Sequence, residues 1–176
     1  MEFYRRNCSR PRVFDAAYVR CFPHCSPSCC PHSQYRGCGA SVSVRIAEVD
    51  ANAVAMARFR SATNDPTYVV GDTLVVDPND VRSSFRPRAQ WLRGSFEAES
   101  RSFTFNEKRR FGWHYDWQSS SSSLKRSEQH VFQVYLCQAV GDRLVVVAMI
   151  ASPPFTISSY RRAKQGPAAR ASPLPW

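Results

Sequence analysis

No apolar run in this chain is long enough to cross a membrane as a helix. The longest, residues 144–151, has eight residues, against the roughly 20 that a membrane helix needs. No membrane partner is expected. The first 20 residues hold Arg5, Arg6, Arg10, Arg12 and Arg20 and no apolar stretch, so a secretory signal is not expected. Asp15 and the lack of an amphipathic period argue against an organelle transit peptide. Catalytic signatures are missing as well. There is no phosphate loop, no G-x-G-x-x-G, no H-E-x-x-H and no G-x-S-x-G, and each of those patterns places specific donors around a reacting group. His114 and Asp116 lie two apart with no nucleophile beside them. Cys30 and His32 sit too close in one loop to act as nucleophile and base. Neither enzymatic activity nor a small-molecule substrate is expected. Internal repeats are absent, and helical periodicity is weak. Only residues 54–60 and 78–85 are compatible with a helical turn or two.

What remains is globular in composition. The chain has 176 residues, 43% hydrophobic and 22% charged. That argues against wholesale disorder and fits one domain with a tail. Residues 1–165 read as a single domain and residues 166–176, with Pro167, Pro173 and Pro175, as a disordered tail. Lys and Arg number 24 against 14 Asp and Glu, for a net charge of +10. The excess is uneven. Residues 48–80 carry two basic and six acidic side chains, while residues 81–126 carry ten and four. No acid follows Asp142. Two basic blocks around an acidic middle suggest a surface that faces a polyanion.

Strand signals dominate. Residues 41–46 alternate with period two. Residues 68–76 are β-branched and end at the turn Asp77-Pro78-Asn79-Asp80. Residues 102–105 form a short candidate. Residues 131–139 put Phe132, Val134 and Leu136 on one face and Gln133, Tyr135 and Cys137 on the other. Residues 144–150 are a continuous apolar run, joined to the preceding strand by the hairpin turn 140–143. Residues 155–158 alternate after the break at Pro153 and Pro154. The fold class expected is all-β, an antiparallel immunoglobulin-like β-sandwich with long loops. Its core is expected from Val44, Ile46, Val69, Leu74, Val76, Phe132, Val134, Leu136, Val145, Val147 and Phe155. Residues 21–38 read as a Cys/His-rich loop and residues 118–127 as a Ser-rich one.

Six of the seven cysteines fall within residues 8–38, and Cys137 stands alone as a small buried hydrophobe. Without a secretion signal, clustered thiols point to metal ligands more than to disulfides. Cys21 and His24 are two residues apart inside the pair, as are Cys29 and His32. Such spacing lets a tight turn aim both donors at one ion, and the two pairs together make a Cys2His2 set for one structural zinc. Cys8, Cys25, Cys30 and Cys38 can substitute within that set.

The aromatics Phe103, Phe105, Phe111, Trp113, Tyr115 and Trp117 are interleaved with Lys108, Arg109 and Arg110. Aromatics and cations together stack on bases and neutralise phosphate. The shared parity of Phe111, Trp113, Tyr115 and Trp117 favours core packing for those rings and leaves the cations to meet phosphate. Lys125 and Arg126 add to this block. The strand at residues 155–158 runs into Arg161, Arg162 and Lys164. Cations leaving a strand end can enter a DNA groove, where Arg pairs with guanine edges and Lys with phosphate.

Two stretches resemble the immunoglobulin-fold transcription factors, the group holding the tumour-suppressor, Rel-homology, Runt and STAT types. Val19-Arg20-Cys21-Phe22-Pro23-His24 is similar to the tumour-suppressor-type zinc loop. Residues 130–136, with 152–157 and Arg161-Arg162, resemble the closing strands and basic exit of the group. The resemblance implies sequence-specific DNA binding by a transcription regulator in the nucleus. It also implies zinc at Cys21 and His24. This chain departs from the family in one respect: the second ligand pair there is a distant Cys-x-x-x-Cys, and here only Cys137 follows Cys38. A zinc must close locally. The partners expected are duplex DNA and a second copy of the chain. Two other readings stand beside this one. One is a β-sandwich that binds protein, with the acidic segment 48–80 meeting a basic partner. The other is a basic structural subunit of a ribonucleoprotein particle.

Overall fold

The computed structural model describes residues 1–6, 13–19, 22, 32–33, 37–38, 41–48, 50, 52–63, 65, 67–106, 113 and 127–158. Thirteen strands lie among them: β1 (Glu2–Tyr4), β2 (Ala17–Val19), β3 (His32–Ser33), β4 (Gly37–Cys38), β5 (Val42–Arg45), β6 (Ala53–Ser61), β7 (Thr73–Leu74), β8 (Leu92–Arg93), β9 (Ser95–Glu97), β10 (Ser102–Phe105), β11 (His130–Val140), β12 (Arg143–Ala151) and β13 (Thr156–Ser158). A four-stranded sheet has the order β1-β5-β10-β9 and a five-stranded sheet the order β7-β12-β11-β6-β8. Both are antiparallel throughout. The chain is therefore nearly all-β, with a sandwich-like pair of sheets.

Alternation explains which face each strand buries. In β5 and β10, Val42, Val44, Phe103 and Phe105 turn inward. Ser43 and Thr104 lie on the opposite face of the sheet, where both are also buried and share a hydrogen bond of 2.9 Å. In β11, Phe132, Val134 and Leu136 face the same core from the opposite sheet. Tyr135 and Cys137 belong to a second apolar cluster on the far side, with Met56, Leu74, Trp91 and Val146. The segment 67–91 covers that second face. Beneath it, Arg58 of β6 is only 8% exposed and lies over the rings of Trp91 at 4.9 Å and Tyr68 at 5.5 Å. The aromatic faces offer this buried cation an attractive quadrupole.

The hairpin expected at residues 140–143 joins β11 to β12, with Gly141 at φ +63°. A positive φ at the first central residue is what a primed two-residue turn requires.

Three expectations need correction. Residues 54–60 are not helical: they belong to β6, whose alternate alanines, Ala55 and Ala57, are fully buried against the core. Burial of one face overrides the helix propensity of alanine. Residues 68–76 are not one strand. Gly71 takes φ +97°, the Asp72 amide donates to the Val69 carbonyl at 3.1 Å, and the Asp72 carboxylate accepts from the Val69 amide at 2.8 Å. This turn over Val69-Val70-Gly71-Asp72 confines pairing to β7. It also leaves Val69 52% exposed, and Val147 is 42% exposed at the sheet edge, so neither is core. Val76 and Val145 are only half-buried. Val44, Ile46, Leu74, Phe132, Val134, Leu136 and Phe155 are buried as expected. Of residues 78–85, Pro78–Asp80 form a single 3-10 turn capped by the Asp77 side chain.

The Cys/His-rich segment 21–38 contains the short hairpin of β3 and β4. Residues 118–126 of the Ser-rich stretch and the tail 166–176 lie outside the described residues.

Candidate nucleic-acid interface

One aromatic cluster ties the termini of three chemically distinct segments to the sandwich core. Phe22 lies between Cys21 and His24 in sequence, and its ring meets those of Phe155 at 5.0 Å, Trp113 at 5.2 Å and Phe132 at 5.6 Å. Trp113 follows the Lys108-Arg109-Arg110 block and packs on Phe132 at 5.3 Å and on Phe59 at 5.9 Å. Phe105 precedes that block and meets Phe132 at 5.7 Å. Edge-to-face and offset pairs of this kind contribute about 0.5–1.5 kcal/mol each beyond the area they bury.

The exit strand is fixed on two sides. Phe155 and His130 exchange backbone hydrogen bonds of 2.8 and 2.9 Å. β13 then pairs in parallel with β2, in the register Thr156↔Ala17, Ile157↔Tyr18 and Ser158↔Val19. The Tyr18 ring meets Phe155 edge-on at 5.1 Å. Burial pushes the Tyr18 hydroxyl up to about 12, so it stays protonated while accepting from the Asp15 amide at 2.8 Å. The last described residue before Arg161 is thus held by the sheet, three residues away.

Charge separates along the same division. The described residues hold eleven arginines against twelve carboxylates. All other residues together hold thirteen basic and two acidic side chains. The described residues are therefore nearly neutral, at −1, and the remaining residues carry +11.

Lys108, Arg109, Arg110, Lys125, Arg126, Arg161, Arg162 and Lys164 lie outside the described residues, as do Cys21, His24 and Cys29. His32 is in β3, where its backbone is the register partner of Cys38 in β4. Among the described residues, no group of three or more His, Cys, Asp or Glu is arranged to hold a metal. Cys137 is fully buried, and burial raises its thiol to about 11. It stays a neutral, unreactive thiol at neutral pH.

Two features escaped the sequence. Phe22 reads as a residue of a Cys-rich loop but is a core ring. Arg58 falls in a segment read only as a helical turn or two but is a buried cation lying over two aromatic rings. Single anchors of this kind have no periodic neighbours to announce them.

His130 couples the site to pH. Its side chain is buried, and burial lowers its pKa below the ordinary 6.5, against the opposing pull of Glu128 and Asp65. The unfolded chain therefore takes up the proton first. The stabilising contribution is whole above about pH 6.5 and is lost as pH falls toward the folded pKa. We expect the melting temperature to drop more steeply between about pH 7 and pH 5 in the wild type than in His130→Gln. Parallel curves for the two proteins would show that His130 does not carry the effect.

Compared with known protein families, curated proteins and solved structures, the chain matches none of them.

Proposed function

We propose that this chain is a sequence-specific DNA-binding module of a transcription regulator. It would be an immunoglobulin-like sandwich acting in the nucleus without catalytic activity of its own. The observation that carries the reading is the tethering of the basic segments to one aromatic cluster. Phe105 and Trp113 bracket Lys108, Arg109 and Arg110, and both rings pack on Phe132. Phe155 anchors the strand that leads to Arg161, Arg162 and Lys164, and it stacks on Phe22 of the Cys-rich segment. A polyanion needs several cations presented together, and rigid anchors limit the space each can sample. In this reading one of Arg161 and Arg162 reads a base edge, while Lys108, Arg109, Arg110, Lys125, Arg126 and Lys164 hold phosphates.

A structural zinc belongs to the same proposal, with Cys21 and His24 as one ligand pair and Cys29 and His32 as the other. The register pairing of His32 with Cys38 makes Cys38 the natural substitute. A zinc here would fix the Cys-rich segment and supply no chemistry. Metal analysis of protein purified without chelator should return close to one zinc per chain, and a metal-free protein of unchanged stability would remove the idea.

The test of the function is electrophoretic mobility shift against random duplex, single-stranded DNA and RNA pools over a salt series. Retention of a subset of duplexes at physiological salt is expected. Equal retention of every pool would reduce the activity to charge alone. Absence of retention would leave the protein-binding reading, with the acidic segment 48–80 as the contact.

A further inference from the structure

The segment between Asp80 and Trp91 is a closed loop that holds one ring in water. At its base the Trp91 amide donates to the Asp80 carbonyl at 2.9 Å, and the Arg82 amide donates to the Trp91 carbonyl at 2.7 Å. Trp91 is itself buried, beside the rings of Tyr68 and Tyr135. The Arg82 guanidinium donates twice to the Ala89 carbonyl, at 3.2 Å each. Near the tip, Ser83 and Arg86 exchange backbone hydrogen bonds of 3.2 Å. The Ser83 hydroxyl accepts a further bond from the Arg86 amide. Ser84 and Phe85 are left as the two residues of the tip.

Phe85 is 94% exposed, the most exposed large hydrophobic side chain among the described residues. A ring so placed adds almost nothing to the packing of the domain. The turn does not ask for it either, since two-residue tips favour Gly, Asn and Asp. Positive charge surrounds it. Four of the eleven described arginines, Arg82, Arg86, Arg88 and Arg93, fall between Asp80 and Glu97 with no acid among them. Arg86 and Arg88 are exposed, and among the described residues neither meets a carboxylate. Pro87 stiffens the link between them.

A partner for this tip must offer a slot one ring wide with anionic groups on both sides. A base step of duplex DNA, set between its phosphates, has that form. An anionic membrane fits less well, because Ser83, Ser84, Arg86 and Arg88 give the ring no apolar neighbours to sink with it. We propose that Phe85 is a wedge: it enters a base step of duplex DNA while Arg86 and Arg88 hold the flanking phosphates. Apolar wedges of this kind partly unstack the step and kink the duplex. Pyrimidine–purine steps open most readily, so the preferred site should carry a TA or CA step at the wedge. The inference takes its class of partner from the DNA-binding reading and uses none of the cations assigned there.

The test uses the full chain and two synthetic duplexes of equal length, one with 2-aminopurine in a central TA step and one with it inside an A-tract. Saturating wild type should raise the fluorescence of the TA duplex as the step unstacks, and should leave the A-tract duplex quenched. Phe85→Ala should abolish the rise and weaken binding to the TA duplex about fivefold to a hundredfold, the range for losing one aromatic–base contact. Its salt slope and melting temperature should match the wild type, because the ring is uncharged and almost wholly exposed. Phe85→Trp should restore the rise. Arg86→Ala with Arg88→Ala should flatten the salt slope by about two units. Duplex binding by the wild type without the rise, wild-type affinity in Phe85→Ala, or an unchanged slope in the double arginine variant would overturn the wedge and leave the DNA-binding reading standing. Binding of neither duplex overturns both, and Phe85-dependent capture by phosphatidylserine vesicles would then identify a membrane as the occupant.

Discussion

Phe22→Ala is expected to lower the unfolding free energy by about 3–5 kcal/mol, the range for truncating a large aromatic in a core. Phe22 meets six rings, those of Phe14, Tyr18, Phe59, Trp113, Phe132 and Phe155. These come from the N-terminal segment, β2, β6, β11, residue 113 and the approach to β13. Few of them can close over the gap without pulling on strands paired elsewhere, so the cavity should persist and the cost should sit high in that range. A domain of this size is typically stable by about 5–15 kcal/mol, so the loss is a large share of the whole. Urea unfolding should show a lower midpoint with an unchanged slope. A shift smaller than about 1 kcal/mol would mean that Phe22 is a surface residue of its loop. Phe22→Leu, which keeps most of the apolar volume, should recover much of the loss.

That expectation also shows where sequence reasoning reaches its limit. The strands at 42–45, 102–105, 130–140 and 156–158 are legible because each repeats a period-two pattern of β-branched or aromatic residues, and the strand at 143–151 because it is a continuous, β-branched apolar run after a turn. β6 is not, since its inward residues are mostly alanines, with Phe59 at its end, and alanine does not distinguish strand from helix. β7 is shortened by one turn built on Gly71 and Asp72, inside a segment whose composition says strand throughout. Phe22, Tyr18 and Trp91 are core residues that carry no pattern. Each is a lone ring placed by contacts between segments distant in the chain. The parallel pairing of β13 with β2 unites residues about 140 apart in sequence, and no local signal encodes it. For the candidate interface, the charge blocks are visible in the sequence. What tethers them is visible only once Phe155, Trp113 and Phe22 are seen to share one cluster.

The largest effect expected on function is in the salt dependence of DNA binding. Each phosphate neutralised releases condensed counterions, so the logarithm of affinity falls by about 0.9 per contact for each tenfold rise in salt. Eight cations are assigned to the interface: Lys108, Arg109, Arg110, Lys125, Arg126, Arg161, Arg162 and Lys164. If all engage, the slope approaches about −7, and affinity falls roughly ten-thousandfold between about 50 and 200 mM salt. Chain length limits where these cations emerge. Lys108 is three residues from the buried Phe105, within about 11 Å of it even when fully extended, and Arg161 is six from Phe155, within about 22 Å. Arg161→Ala with Arg162→Ala should therefore make the slope shallower by about two units if both meet phosphate, and by about one if only one does. In the second case the other arginine reads a base edge, and its loss should cost about 1–3 kcal/mol at the preferred site and relax the preference there. Replacing Lys108, Arg109 and Arg110 together should flatten the slope by about three units and weaken every sequence alike. The two variants thus separate reading from gripping within one titration series. If the double arginine variant keeps both the slope and the preference of the wild type, the residues beyond β13 take no part in binding. The anchoring of that strand by Phe155 and His130 would then serve the fold alone.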